Sequence, residues 1–213
     1  MNIQEILDNL LDELMDSVTI EFEETSVQEP LTAEKLDLLR NLNFKDSFIN
    51  CYSPCSGYLA KYGVKLSSGG KTRHVVNLLK VDLVIMNREG EIYDKDEIEP
   101  DDPIRNFHVV DDFANESCVG IYAGENATNS LYYYRRGEDS AQFLGLDLCG
   151  YIEMMVAAKG YRYWQKAILD IRKSSECTET KDLKSDLPIL FSGWSWDEFV
   201  AKYQSLRIQE GTP

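Results

Sequence analysis

The chain opens on an apolar stripe. Ile3, Ile6, Leu7, Leu10, Leu11 and Leu14 fall at i, i+3, i+4 and i+7, the spacing of one buried helix face, so residues 2–15 are predicted helical with an acidic outer side. Asn2 with Glu5 three residues later suits a capped start. VTIEFEETSVQEP (18–30) breaks the period and reads as an extended or loose connector closed by Pro30. Thr32 is a good N-cap for a second helix over 33–42, where Leu36, Leu39 and Leu42 repeat at helical spacing. A short third helix is predicted from Phe44 to Cys51, before Pro54 stops it.

From about residue 56 the period shortens. HVVNLLKVDLVIMN (74–87) is rich in β-branched residues, and the turn at Arg88-Glu89-Gly90-Glu91 into EIYD predicts a hairpin. FHVVDDF (107–113), CVGIYAG (118–124) and SLYYYRR (130–136) are further strands, separated by Gly, Asn and acidic turn residues. Helical spacing returns at Asp147 and ends at Gly160, and a second helix follows from Tyr161 to Arg172. KSSECTETKDLKSD (173–186) reads as a polar loop. Ser195 and Glu198 form a capping box for a last helix carrying Trp196, Phe199, Val200 and Tyr203. Helices, then strands, then helices describe an α+β fold with an antiparallel meander and flanking helices. The expected organisation is an acidic helix and connector (1–30), an α+β domain (31–172), and a polar loop with an aromatic helix packed on it (173–213).

Composition narrows the classes of function. Against 22 Lys and Arg the 213 residues carry 37 Asp and Glu, a net charge of −15, which disfavours phosphate backbones and anionic lipid surfaces. Basic or neutral partners are favoured. Five cysteines are an odd, scattered set, which reads as reduced thiols rather than as a disulfide framework. The first residues carry carboxylates where a secretory leader carries positive charge, and no apolar run approaches the roughly 20 residues of a membrane helix. A cytoplasmic protein is expected.

Few motifs carry chemistry. SSGGKT (67–72) resembles the end of a phosphate loop, but Lys65 stands where that pattern needs glycine. Cys51 and Cys55 are spaced like half a zinc site, without the second pair that a closed site needs, so no metal or other cofactor is expected. Nucleophilic catalysis lacks a recognisable elbow or thiol signature, and the two histidines, His74 and His108, stand alone. Asp94, Asp96, Asp101 and Asp102, with Asp111, Asp112 and Glu116 downstream, lack the spacing of a calcium loop. They are candidates for docking a basic partner, because clustered carboxylates speed association with cationic patches. A rival reading places a small-molecule or catalytic cleft near His108, Asp111 and Asp112. Aromatic and basic residues interleave in LYYYRR (131–136) and YRYWQ (161–165), which suits a groove or a protein interface. Strand alternation there predicts Tyr133 buried with Tyr132 and Tyr134 exposed, or the reverse.

The segment from about Phe44 to Leu169 resembles the SUKH superfamily, which includes bacterial toxin-immunity proteins and a yeast regulator of cell-wall glucan synthesis. The resemblance is carried by the helical lead-in, VDLVIMNREGEIYD, FHVVDDFANESCVGIY, LYYYRR and LDLCGYIEMMVAAKGYRYWQ. It implies an α+β fold and a non-catalytic role, either neutralising a cognate toxin or serving as a regulatory scaffold. An acidic immunity protein would complement a basic toxin domain without itself touching nucleic acid. The excess charge is concentrated at one end. Residues 1–34 hold ten carboxylates and no Lys or Arg, leaving 27 acids and 22 bases over the other 179 residues.

Overall fold

Leu7, Leu10 and Leu14 are almost fully buried on one side of helix α1 (Ile3–Met15), as their spacing requires. The computed structural model describes residues 3–17, 19–65, 71–86, 89–93, 96, 98–138 and 140–209. Beyond α1 the chain forms β1 (Ile20–Val27), α2 (Ala33–Asn41), α3 (Asp46–Tyr52), β2 (Tyr58–Lys65), β3 (Lys71–Leu78) and a single-turn α4 (Val81–Val84). It continues with β4 (Phe107–Ala114), β5 (Ser117–Tyr122), β6 (Leu131–Arg135), β7 (Gln142–Phe143), α5 (Leu148–Ala157), α6 (Trp164–Lys173), α7 (Thr178–Leu190) and α8 (Trp196–Leu206). The strands form one seven-stranded sheet in chain order, antiparallel throughout. The fold is α+β.

Helices dock on one sheet face through tyrosines. Tyr58 of β2 donates to the carbonyl of Leu7 at 3.1 Å, and Tyr62 donates to the carbonyl of Lys159 just beyond α5. At Gly160 the chain turns left-handed, φ +64°, and a Cβ there would lie 2.4 Å from Val76 Cγ2 of β3. Gly160 ends α5 because no other residue meets both demands. The opposite face of β4–β6 is covered as well: Tyr134 donates to the carbonyl of Ile92 at 3.1 Å. Tyr133 and Tyr134 are therefore both buried, and the alternation expected for LYYYRR gives way to a strand enclosed on two sides.

Four expectations are corrected. Residues 20–27 are not a loose connector but an edge strand registered with β2 from Ile20 opposite Val64 to Val27 opposite Tyr58. Ile3, Leu7, Leu10 and Leu14 of α1 lie in the main core, and Ile20 and Phe22 of β1 pack against it. The hairpin expected over 74–94 does not form. The chain leaves β3 at Leu78 and winds into α4, whose Val81 and Val84 are buried, so apolar content had suggested a strand where packing selects a helical turn. Gly90 N–H then donates to the carbonyl of Tyr93 within a loop, while residues 87, 88, 94 and 95 lie outside the described set.

Residues 178–186, expected as loop, begin α7. Its first turn is capped from a distance by Asp170 of α6, which accepts from Cys177 N–H (2.7 Å) and Thr180 Oγ1 (2.6 Å). Finally, Cys51 of α3 and Cys149 of α5 form a disulfide, with Cα atoms 5.8 Å apart. Cys55, Cys118 and Cys177 stay free.

Candidate functional site

The sheet opens between β3 and β4. These strands are registered at a single position, Leu78 opposite Asp111, and the side chain of Asn77 then donates to the carbonyl of Asp112 at 2.8 Å where the strands part. A cleft of about 550 Å³ fills the gap. One wall comes from β3 through Arg73, His74, Val75 and Asn77, with Lys61 and Glu23 beside it on β2 and β1. The other comes from Asp112 to Glu116 on β4 and its turn, with Arg136 and Arg162 at the ends.

Ion pairs line this cleft. Arg73 meets Glu23 at 3.2 Å, Lys61 meets Glu24 at 2.7 Å, and Arg136 meets Asp112 at 3.0 Å while also donating to the carbonyl of Asn115. The more exposed Lys61 and Arg73 pairs contribute about 0–1 kcal/mol each. They can therefore exchange partners at small cost.

His74 forms the floor and is not a free base. Its Nδ1 accepts from the backbone N–H of Arg162 at 3.1 Å, which leaves Nε2 to donate to Thr72 Oγ1 at 2.9 Å. Tyr62 and Tyr161 pack against the ring. Burial lowers its pKa to about 4, with the charge of Asp186 opposing and that of Arg162 assisting. The imidazole is neutral and structural at ordinary pH.

At the outer end, Tyr163 sits in a left-handed conformation, φ 63°, between charged groups. Its hydroxyl donates to Glu116 and accepts from Arg162 at 2.6 Å, while the Arg162 and Lys166 cations lie 4.5 and 5.0 Å from the ring centre. The tyrosine hydrogen bond holds the Glu116 carboxyl below its usual range, aided by Arg162 and Lys166 against partial burial.

The acidic candidates do not make one patch. Asp112 and Glu116 line the cleft. Asp111 is 1% exposed and cannot reach a partner. Asp101 is exposed, Asp102 accepts from Ile104 N–H as the cap of the 3-10 turn at Pro103–Asn106, and Asp96 is exposed. Asp94 lies outside the described residues. These three precede β4, whereas Asp112 and Glu116 stand at its far end, roughly 17 Å away along the strand from Phe107 to Asp112.

Nor do His108, Asp111 and Asp112 converge on a cleft. His108 Nδ1 pairs with the carbonyl of Val84 at 2.9 Å and its ring packs on Phe44. Asp112 lines the cleft without either of the others. Among the described residues no group of His, Cys, Asp and Glu is placed to hold a metal ion, and the Cys51–Cys55 spacing is spent differently, on a disulfide and a buried thiol.

A second acidic surface is preformed on α1. Glu5, Asp8, Asp12 and Glu13 are exposed on a helix whose other face is anchored in the core, Asp16 is exposed one residue past its end, and Glu13 is paired with Lys159. Glu23, Lys61, Arg73, Arg136 and Arg162 are cleft residues that no sequence pattern singles out, although the last two belong to the aromatic–basic segments. Their proximity to β3 depends on long-range packing that no local pattern encodes. No helix among the described residues is long and apolar enough to cross a membrane. No protein-family model, curated protein or solved structure matches this chain.

Proposed function

We propose that this protein is a non-catalytic binding module of the SUKH type, and specifically an immunity protein that neutralises a cognate toxin with a basic functional surface. The observation that carries the reading is the α1 face. Glu5, Asp8 and Asp12 are exposed on a helix fixed by Leu7, Leu10 and Leu14, with Asp16 exposed one residue past its end, so the charge is held in place before encounter. A preorganised field of one sign raises association rates with an oppositely charged partner and loses its effect as salt rises. A regulatory scaffold related to cell-wall synthesis control is the second role that the family resemblance implies. Binding to nucleic acid itself is disfavoured by the −15 charge.

The proposed location is the cytoplasm. The Cys51–Cys149 disulfide argues instead for an oxidising compartment, and thiol counting on protein from its native cells separates the two.

The test is a titration against the product of an adjacent toxin-like gene, with the association rate measured at several salt concentrations. Binding whose rate falls with salt, and falls further when Glu5, Asp8, Asp12 and Asp16 become Gln or Asn, supports the reading. Absence of binding, or a rate indifferent to both changes, refutes it.

A further inference from the structure

One strand edge inside the sheet has no neighbour among the described residues over most of its length. Leu79 N–H donates to the carbonyl of Val110 at 2.9 Å beside the single Leu78–Asp111 pairing. The β2–β3 register runs from Tyr58 opposite Leu78 to Lys65 opposite Lys71 without a shift. Strict alternation therefore turns the backbone N–H and C=O of Asn77, Val75 and Arg73 away from β2 and toward β4. Asn77 is closed off by its own side chain, which bonds to Asp112. No described residue of β4 is registered with Val75 or Arg73, and the cleft lies where a partner strand would run.

We propose that this edge is a docking site for an extended, acidic peptide segment of a partner protein, which adds as a strand beside β3. An unpaired edge offers donors and acceptors at the spacing of an added strand, and the stretch from Arg73 to Asn77 gives it about 13 Å of track. Charge selects the peptide. The cleft's three carboxylates are engaged: Glu23 with Arg73, Asp112 with Arg136, and Glu116 with Tyr163. Arg162 is exposed, stacked on Tyr163, and makes no ion pair among the described residues. Arg162 reaches Glu116 only through the Tyr163 hydroxyl, and a peptide carboxylate is the group that would pair with it directly.

The rim has the composition of a binding hot spot, with arginines around a tyrosine. The left-handed backbone at Tyr163 fixes that ring beside Arg162, a kind of strain that clusters at functional positions. This site is separate from α1, so either binding claim can fail without the other.

The experiment selects a random heptapeptide library against the full-length protein and titrates the enriched peptides, with amide hydrogen exchange as the structural readout. Enriched sequences should carry Asp or Glu beside β-branched residues and should slow exchange at Val75 by about tenfold or more at saturation. Val75→Pro removes the edge donor but no bond to β2, and Arg162→Glu reverses an exposed charge. Each should weaken binding about tenfold or more, while a variant neutralised on α1 selects the same peptides. The proposal is overturned if nothing is enriched over a protein-free control, if bound peptides leave Val75 exchange unchanged, or if Arg162→Glu binds them as tightly as the parent.

Discussion

Tyr151 donates its hydroxyl hydrogen bond to Oδ2 of Asp111 at 2.5 Å, with both side chains buried. Gln165 Nε2 donates in turn to the tyrosine oxygen at 2.8 Å. Asp111 Oδ1 and Gln165 Oε1 have no hydrogen-bond partner among the described residues. Burial raises the Asp111 pKa to about 8, against the lowering effect of the Tyr151 hydrogen bond and with help from the charge of Asp112. The folded protein therefore holds a proton here that the unfolded chain has lost above about pH 4. This contribution to stability is complete below the unfolded value and is lost as pH rises through about 8, with a slope of up to about 1.4 kcal/mol per pH unit. Asp111→Asn keeps an acceptor for Tyr151 and cannot ionise. Urea unfolding at pH 5, 7 and 9 should show the variant gaining on the parent as pH rises; parallel curves would mean that Asp111 does not titrate in this window.

Asp170 behaves oppositely. Burial raises its pKa, but hydrogen bonds from Ser175, Thr180 and Cys177 outweigh that and hold it at about 2. Its stabilisation is present above the unfolded value and disappears as pH falls through about 2. Asp170→Ala should cost roughly 1.5–3 kcal/mol at neutral pH and fray the start of α7, visible as faster amide exchange at Lys181. An unchanged midpoint would show that α7 does not need this cap.

The N-terminal elements should prove inseparable from the rest. Leu10→Ala is expected to cost roughly 2–5 kcal/mol, the range for truncating a buried leucine. Deleting residues 1–30 removes β1 from its register with β2 and should leave no cooperative unfolding transition. A truncated protein that still melts cooperatively would contradict the packing described for α1 and β1. For this reason the charge on α1 is better probed by substitution than by deletion.

Two further variants test local geometry. Gly160→Ala must adopt a left-handed turn and press on Val76, a loss of roughly 1–3 kcal/mol, measurable in a thermal melt. Denatured, unreduced protein should titrate as three thiols and reduced protein as five. Cys51→Ser should lower stability by roughly 3–5 kcal/mol, given the 98-residue separation. Five reactive thiols before reduction would rule the bridge out.

The parts of the fold that were legible in the sequence are those where local pattern and packing agree. The leucine stripe of α1, the Thr32 and Ser195 caps and the strands at 107–113 and 118–124 each follow from neighbours within a few residues. The illegible parts are decided at a distance. α7 starts without a cap of its own because Asp170 supplies one from the preceding helix. β1 is too polar to read as a strand, since its outer residues face solvent and its pairing comes from β2. The cleft is half legible: charge clustering points to Asp112 and Glu116, but their neighbours Arg136 and Arg162 arrive by tertiary packing.

Protection of cells tests the central claim most directly. Cells expressing the adjacent toxin-like gene product should survive when this protein is co-expressed, and survival should fall for the variant in which Glu5, Asp8, Asp12 and Asp16 are neutralised although its melting temperature is unchanged. Cells that die equally with and without the intact protein would contradict the immunity reading.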